Sequence, residues 1–508
     1  MAIQLKLFLL LWTSAVAVTS AAQSSTRPNI IFFLVDDLGW NDLSLPISGQ
    51  VTANNKKYHT PHIEQLAREG IIFREAYMTP VCTPTRVSLI TGVNAARHRV
   101  TNWTSPRKDH NTDAEDEQFS PAAWNINGFS PEPGIPRSFY GTPLPQVLRD
   151  NGYFTIHIGK AHWGPRGTAA ASPHNVGFIV NVAGHAAGHP QSYLPEEEYG
   201  NMPGKGSFQS VPDLEPYYQT DVFLTDALTK EALKAIDYPV SQDQPFFLNL
   251  GHYAVHTPIM GDKKYLQPYL DRGLDSVEAR YASLVEGVDK SVGDILAYLK
   301  QKNIHKNTVF IFASDNGGLS LTPPRGGTAH THNLPLNVGK GSVYEGGVRV
   351  PLIVKYDGVA KQGAVSKNYV LAEDIFPTLL EIAGIRDGKV IQQIDGKSFV
   401  PALRDTALAD PERVLVWHYP NKWRSPDGPG INYHSALRRG KWKLIYNQRN
   451  GKAYLYDLQR DIGETNDLSA KNPGLTKELT RLLGQKLAEY GALMPVDKKT
   501  GRQLAYPE

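Results

Sequence analysis

The sequence predicts an α/β fold: a large, mostly parallel sheet flanked by helices, with a smaller C-terminal domain of antiparallel sheet plus helix. Three observations carry this. Asn29 to Val35 (NIIFFLV) and Thr308 to Ala313 (TVFIFA) are continuous apolar runs of strand length, as expected of central strands buried on both faces of a parallel sheet. Such runs alternate with helical patterns, among them Val277 to Gln301 and Asp374 to Gly384, the order that parallel crossovers require. Beyond Asp395-Gly396 and Leu403-Arg404-Asp405 the texture changes: Ser435 to Ile445 and Ala453 to Leu458 alternate like antiparallel strands, and an amphipathic helix runs from Leu475 to Tyr490. A large domain is expected at residues 23–400 and a smaller one at 401–508.

A chain of 508 residues is long enough for one large core and a smaller one. Its 53 basic and 50 acidic residues nearly balance at +3, so nothing points to a nucleic-acid partner, and recognition must come from local sites. Residues 1–22 hold Lys6, an apolar run and the small residues Ser20-Ala21-Ala22, the pattern of a signal peptide. Export to a periplasm or the medium is therefore expected. The apolar run is short, no second spanning segment follows, and no lipid-accepting cysteine succeeds it, so no membrane anchor is expected. Exported proteins commonly spend cysteines in pairs. This chain has one, Cys82, so no disulfide within it can support the fold.

Each of the two apolar strands ends in oxygen-bearing side chains, Asp36-Asp37 after the first and Asp315-Asn316 after the second. Functional groups gather at the carboxyl ends of parallel strands. A capped turn uses the same residue types, but two such pairs at one sheet edge make a hard-oxygen cluster suited to calcium or magnesium rather than zinc.

Cys82 opens the stretch CTPTRVSLITG. With Pro and Arg each at ~5% usage, a lone cysteine reads C-x-P-x-R about once in 400, so the spacing is specific. Thr83-Pro84 before an apolar run reads as a helix start, which puts position 82 at a helix N-terminus where an anion is favoured. Arg86, one turn in, reaches back over the same spot. The plain alternative is a buried structural cysteine.

This string resembles the signature of the formylglycine-dependent (type I) sulfatases of the alkaline phosphatase superfamily, and the likeness extends over about residues 27 to 490. Thr85 stands where that family more often has serine. The resemblance implies that a formylglycine-generating or anaerobic sulfatase-maturating enzyme oxidises Cys82 to 3-oxoalanine (Cα-formylglycine). It further implies one Ca2+ held by Asp36, Asp37, Asp315, Asn316 and residue 82 itself. Gly152 to Gly164 (GYFTIHIGKAHWG) is similar to the family's strand ending in Gly-Lys-x-His, which assigns Lys160 and His162; Ala161 and Trp163 depart from its usual Trp and Leu. His157, inside that strand, is expected to be a core histidine. Phe246 to Pro258 (FFLNLGHYAVHTP) brings His256 beside the ester, whereas His252 has no clear counterpart and would either reach the sugar or line the wall. Lys340 matches the lysine of the family's K-G-x-x-Y-E-G-G.

In the mechanism so implied, the hydrated aldehyde attacks sulfur in line through one hydroxyl while His256 protonates the departing sugar oxygen. Loss of a proton from the second hydroxyl to His162 then expels sulfate. Arg86, Lys160 and Lys340 supply preorganised positive charge.

The least family-like segments, Asn102 to Pro136 and Thr168 to Pro212, are rich in Gly, Pro, His and aromatics and too long for simple connectors. They are expected to carry specificity, with His185, His189, His330 and His332 as pocket candidates. The expected substrate is a sulfated carbohydrate such as ulvan, algal galactans, fucoidan or glycosaminoglycans. The alternatives are a phosphonate or phosphodiester hydrolase of the same superfamily, or a non-catalytic sulfated-glycan binding protein.

Overall fold

The computed structural model describes residues 27–320, 333–386, 388–424 and 427–508; the expected signal peptide, His330 and His332 lie outside them. The main sheet has eight strands: β1 (Asn29–Val35), β2 (Ile71–Tyr77), β3 (Phe154–Gly159), β4 (Val180–Val182), β5 (Phe246–Gly251), β6 (Thr308–Ser314), β7 (Leu352–Lys355) and β8 (Ala364–Leu371). Their order is β8-β2-β7-β6-β1-β5-β3-β4. Every pairing is parallel except those of β7, which runs against both β6 and β2.

The two runs singled out in the sequence are neighbours, paired from Asn29–Thr308 to Val35–Ser314. Their ends therefore coincide, and Asp36-Asp37 meet Asp315-Asn316 at one edge. Alternate residues of β1 face two different cores. Ile31, Phe33 and Val35 pack with the helices α1 (Pro61–Glu69), α3 (Leu224–Ser241) and α4 (Ser276–Gln301). Ile30, Phe32 and Leu34 pack with α2 (Cys82–Thr91) and α5 (Ile375–Ile382). This is why the strand is apolar at every position from Ile30 to Val35.

The smaller sheet is antiparallel, in chain order β9 (Val414–Tyr419), β10 (His434–Arg439), β11 (Trp442–Asn447) and β12 (Ala453–Asp457). One face, with Val416, Leu437, Leu444 and Leu455, is covered by Leu479, Leu483 and Leu487 of α6 (Pro473–Tyr490). The other, with Trp417, Ala436, Ile445 and Tyr456, packs on Tyr77, Val343 and Tyr344 of the large body. Among the described residues no helix is long and apolar enough to cross a membrane.

Candidate active site

The carboxyl edge of β1, β5 and β6 holds a cluster of buried charges. Strand β1 runs straight into Asp36, whose N–H and C=O bond the Ala254 carbonyl (3.0 Å) and the Val255 N–H (2.8 Å) beyond β5. Asp37 then turns into the left-handed region at φ 60°, which points consecutive carboxylates different ways. Lys160 Nζ lies 2.6 Å from Asp36 Oδ2, and Lys340 Nζ 2.6 Å from Asp37 Oδ1. Arg86 completes a third pair, with Nε and Nη2 at 2.9 and 2.8 Å from Asp315 Oδ2 and Nη1 on the Lys160 carbonyl at 2.8 Å. Asn316 donates to Asp37 Oδ1 at 2.8 Å, and the Asp37 N–H donates to Asp315 Oδ1 at 3.2 Å.

Three cations thus meet three carboxylates, yet the oxygens are not all used. Asp36 Oδ1, Asp37 Oδ2 and Asn316 Oδ1 are buried with no hydrogen-bond partner. Orphaned buried acceptors of this kind are costly. Three of them in one place, all oxygens, are what a hard cation would satisfy. The atoms of Asp36, Asp37 and His256 lie close enough to share an ion, all within 4.8 Å of one another. Asp315 and Cys82, both expected as ligands, are outside that grouping; Arg86 and the Asp37 N–H bond the Asp315 carboxylate. Burial and the neighbouring Asp315 charge outweigh Lys160 and hold the Asp36 carboxyl well above the usual range. At Asp37 burial acts the same way but is outweighed by Lys340, then His256 and Lys160, so that carboxyl lies below it. The residues fit a calcium or magnesium ion.

Cys82 is the first residue of α2 and is 3% exposed. Helix position is set by Thr85, whose hydroxyl donates to the Asp315 carbonyl at 2.7 Å and accepts from the Thr79 N–H at 3.0 Å. The residue that departs from the commoner serine therefore fastens the helix to the acidic edge. Burial pushes the Cys82 thiol up, with Lys160 and Lys340 only partly offsetting it, so the unmodified side chain is a protonated and weak nucleophile.

Cys82, His162, His256 and Lys340 open onto one cavity of about 840 Å³. His162 sits at φ 57° with Nε2 2.9 Å from the Thr104 carbonyl, so Nε2 carries the proton and Nδ1 is the basic atom, 3.4 Å from Thr83 Oγ1. Gly188 lies flat on this ring; a Cβ there would come within 2.5 Å of His162 Cε1. His256 Nδ1 is 2.8 Å from the Thr257 carbonyl, which leaves Nε2 facing Asp37 Oδ2 at 3.6 Å. Burial keeps both rings well below the ordinary histidine range, assisted by Lys160 at His162 and by Lys340 at His256.

Of the other histidines, His189 lines the cavity and stacks on His256 with ring centroids 5.5 Å apart. His185 contributes its carbonyl to the His162 N–H at 3.1 Å, and its ring lies by Tyr253, away from the cavity lining. His252 neither reaches a sugar nor lines the wall: it is fully buried against Phe33, with Nε2 3.0 Å from Ser291 Oγ. The strand before it is apolar on both faces, so a residue just past its end still points into the core. His157 is a core histidine as expected, between the Gly159 carbonyl at 2.9 Å and Asn249 Nδ2 at 2.9 Å.

The cavity walls come from 103–107 and 207–209, within the two segments expected to carry specificity, and also from Trp423 and Arg424. The last two were not anticipated. Their signal is an aromatic–arginine pair in the Pro/Gly-rich connection between β9 and β10, and Trp423 sits where a Cβ on Gly341 (φ 88°), next to Lys340, would meet its ring at 2.1 Å.

A doubly wound sheet with buried acidic and basic pairs under a histidine-lined pocket defines a hydrolase of tetrahedral oxyanion esters. The comparisons narrow this: a family profile described as "Sulfatase" matches residues 28–385 and one described as "N-sulphoglucosamine sulphohydrolase, C-terminal" matches 338–492. The chain belongs to the sulfatase family, of alkaline-phosphatase-like fold, and is a sulfuric ester hydrolase. It is 31% identical to a "Sulfatase" of Formosa agariphila, over 92% of this chain and 89% of that one. It is 30% identical to the "N-acetylgalactosamine-6-sulfatase" of Mus musculus, over 91% and 86%. Among solved structures, "Ps i-CgsB", also solved with k-i-k-neocarrahexaose, superposes with TM-score 0.70 at 26% identity, covering 91% of this chain and 93% of that one.

Proposed function

We propose that this chain is an exported, calcium-dependent sulfatase that removes sulfate from a saccharide after Cys82 has been oxidised to Cα-formylglycine. The carrying observation is the placement of Cys82 at a helix start, in one cavity with His162, His256 and Lys340, above carboxylate and amide oxygens that lack partners. Asp36, Asp37 and Asn316 would hold the ion, with Asp315 behind them and residue 82 completing the set. The ion and the oxidised residue would supply what the thiol lacks, a hydroxyl nucleophile of lowered pKa and a strong positive charge.

The chain's own groups do the rest. Lys340 opens onto the cavity where sulfate charge would build, and Lys160 lies buried behind it against Asp36; both stay paired to carboxylates, so no reorganisation is needed as the charge develops. His256 gives its proton to the leaving oxygen from Nε2, since Nδ1 is held by Thr257. Burial and Lys340 keep the ring neutral in the free protein, so Nε2 takes up its proton from solvent when the negative charge of the ester enters beside it. His162 takes the later proton at Nδ1, because Nε2–H is committed to Thr104.

The names of its relatives favour saccharide sulfates over small aryl esters as the natural substrate. We assign the catalytic role to residues 23–400 and a supporting one to 401–508, which also delivers Trp423 to the cavity.

The test is mass spectrometry of the Cys82 peptide after co-expression with a maturation enzyme, where a loss of about 18 Da marks the aldehyde. It is paired with turnover of 4-nitrophenyl sulfate, the corresponding phosphate and a methylphosphonate ester. Sulfate turnover that depends on both the mass shift and calcium supports the reading. Faster phosphonate or phosphate turnover would move it to the neighbouring hydrolase class. Full conversion without turnover of any ester would leave only a binding role.

A further inference from the structure

The mouth of the cavity carries positive charge that the reaction does not use. Arg107 lines it, exposed, and its guanidinium lies over the Phe208 ring at 5.3 Å from the centroid. Arg166, likewise exposed, lies over the same ring at 4.9 Å. The two are held side by side by backbone, with the Arg166 N–H on the Pro106 carbonyl at 3.0 Å and the Arg107 N–H on Ser105 Oγ at 3.1 Å. Among the described residues neither guanidinium has a carboxylate within 4.0 Å. Arg166 makes one long bond, to the Phe208 carbonyl at 3.4 Å, and Arg107 donates none from its side chain.

Stacking on an exposed ring contributes only about 0.5–1 kcal/mol, and two like charges on one ring repel. Both leave nearly all their planar donors unpaired within the described residues, and Arg107 does so on the cavity wall. A planar fork of N–H donors suits sulfate and carboxylate. Burial and Arg166 together hold the nearby His185 at about 4, so that ring adds no charge of its own.

We propose that Arg107 and Arg166, oriented on Phe208, form a second anion subsite that binds a sulfate or carboxylate on the sugar next to the one being desulfated. This rests on the sulfatase reading of the cavity, and it deepens it: the preferred substrate carries at least two anionic groups on adjoining sugars. Specificity then lies with Arg107 and Phe208, from the two segments that differ most from the family pattern, and with Arg166 between those segments, and the deep end of the cavity is left generic.

The experiment is calorimetric titration of the full-length protein, expressed without a maturation enzyme and loaded with calcium, so that binding is read without turnover. The probes are the 4-methoxyphenyl glycoside of N-acetylgalactosamine 6-sulfate, with one anion, and the unsaturated chondroitin 6-sulfate disaccharide, with a carboxylate on the adjoining sugar. The wild type is expected to bind the disaccharide at least tenfold more tightly. That preference should fall to about twofold or less in R107Q/R166Q, while R107K retains only part of it, because lysine keeps the charge and loses the planar, stacked fork. Absence of the preference in the wild type, binding of neither probe, or a preference that survives in R107Q/R166Q would overturn the subsite. Failure of the sulfatase reading would instead show as a converted wild type that leaves 4-nitrophenyl sulfate intact, whatever the titrations give.

Discussion

Two buried ionic clusters of equal charge balance sit in this molecule, and they do different things. At the sheet edge Arg86, Lys160 and Lys340 face Asp36, Asp37 and Asp315. Between the large body and the small sheet, Arg349, Arg438 and Lys443 face Glu75, Glu345 and Glu464. In the second cluster every carboxylate oxygen has a contact. Glu345 meets Lys443 at 2.8 Å and Arg349 at 3.1 Å; Glu75 meets Arg349 at 3.2 Å and Arg438 at 2.5 Å; Glu464 meets Lys443 at 3.1 Å and the Glu345 N–H at 2.7 Å. In the first, Asp36 Oδ1, Asp37 Oδ2 and Asn316 Oδ1 lack hydrogen-bond partners, whereas in the second Glu464 Oε1 alone does, and Lys443 Nζ lies 3.1 Å from it. Charge balance alone therefore does not mark a site. Unfilled acceptor capacity does, because a closed network only fixes geometry, whereas an open one has room for a ligand.

The largest effects should come from breaking the open cluster where it meets the ion. Asp37→Asn removes an oxygen proposed to hold calcium and leaves Lys340 without its partner. We expect kcat/KM on 4-nitrophenyl sulfate to fall by about 10³-fold or more, alongside weaker calcium binding in equilibrium dialysis. The denaturant midpoint should fall as well, because Lys340 becomes a buried cation without its carboxylate, so turnover is compared per folded molecule. A variant that unfolds easily yet retains turnover would reverse the assignment of the two clusters.

The closed cluster should answer the other way. Glu345→Gln leaves Lys443 and Arg349 as buried cations with too little countercharge, a loss of about 3–5 kcal/mol by denaturant unfolding. Turnover per folded molecule should stay at the wild-type level. Adding Lys443→Met sharpens the point: the double variant should be more stable than the sum of the single losses implies, by about 0.5–3 kcal/mol of coupling. Strict additivity would mean that the contacts seen here do not act as a unit.

The sequence is informative about these clusters to very different degrees. The open one is legible because its residues end apolar strands or stand in short strings of unusual spacing, and because a strand buried on both faces must deliver its next residues to the sheet edge. The closed one is hidden in plain alternation. Arg438 and Lys443 look like the solvent side of amphipathic strands, but they share a face with Ala436 and Ile445 that packs on the large body. A period of two tells which residues share a face, not whether water lies beyond it. Glu345 shows the same limit, since it stands in the string that identifies Lys340 but works for the other cluster. His252 fails differently, because its position four residues before His256 says nothing about direction once the strand has ended. Trp423 and Arg424 arrive from a connection some 80 residues beyond Lys340, and only the packing of the small sheet on the large body brings them to the cavity.

The smallest expected effect is in acid, where one buried histidine and one buried carboxylate act with opposite signs. His98 is buried beside α2, donates from Nε2 to Ser88 Oγ at 3.0 Å and accepts the Val100 N–H at Nδ1 at 3.0 Å; burial brings it down to about 3. As pH falls below about 6.5 the unfolded chain takes up this proton and the folded chain does not, so stability drops by about 1.4 kcal/mol per pH unit from this one residue. Glu464 in the closed cluster is the opposite case: burial, opposed by Lys443 and reinforced by Glu345, pushes it up to about 7. Between pH 7 and about 4.5 the folded chain holds that proton and the unfolded chain does not, so this group adds stability as pH falls. His98→Gln should therefore flatten the loss of the denaturant midpoint between pH 6.5 and 4.5, and Glu464→Gln should steepen it. If the two variants shift the pH profile in the same direction, one of the two groups is not held in the protonation state that its burial implies.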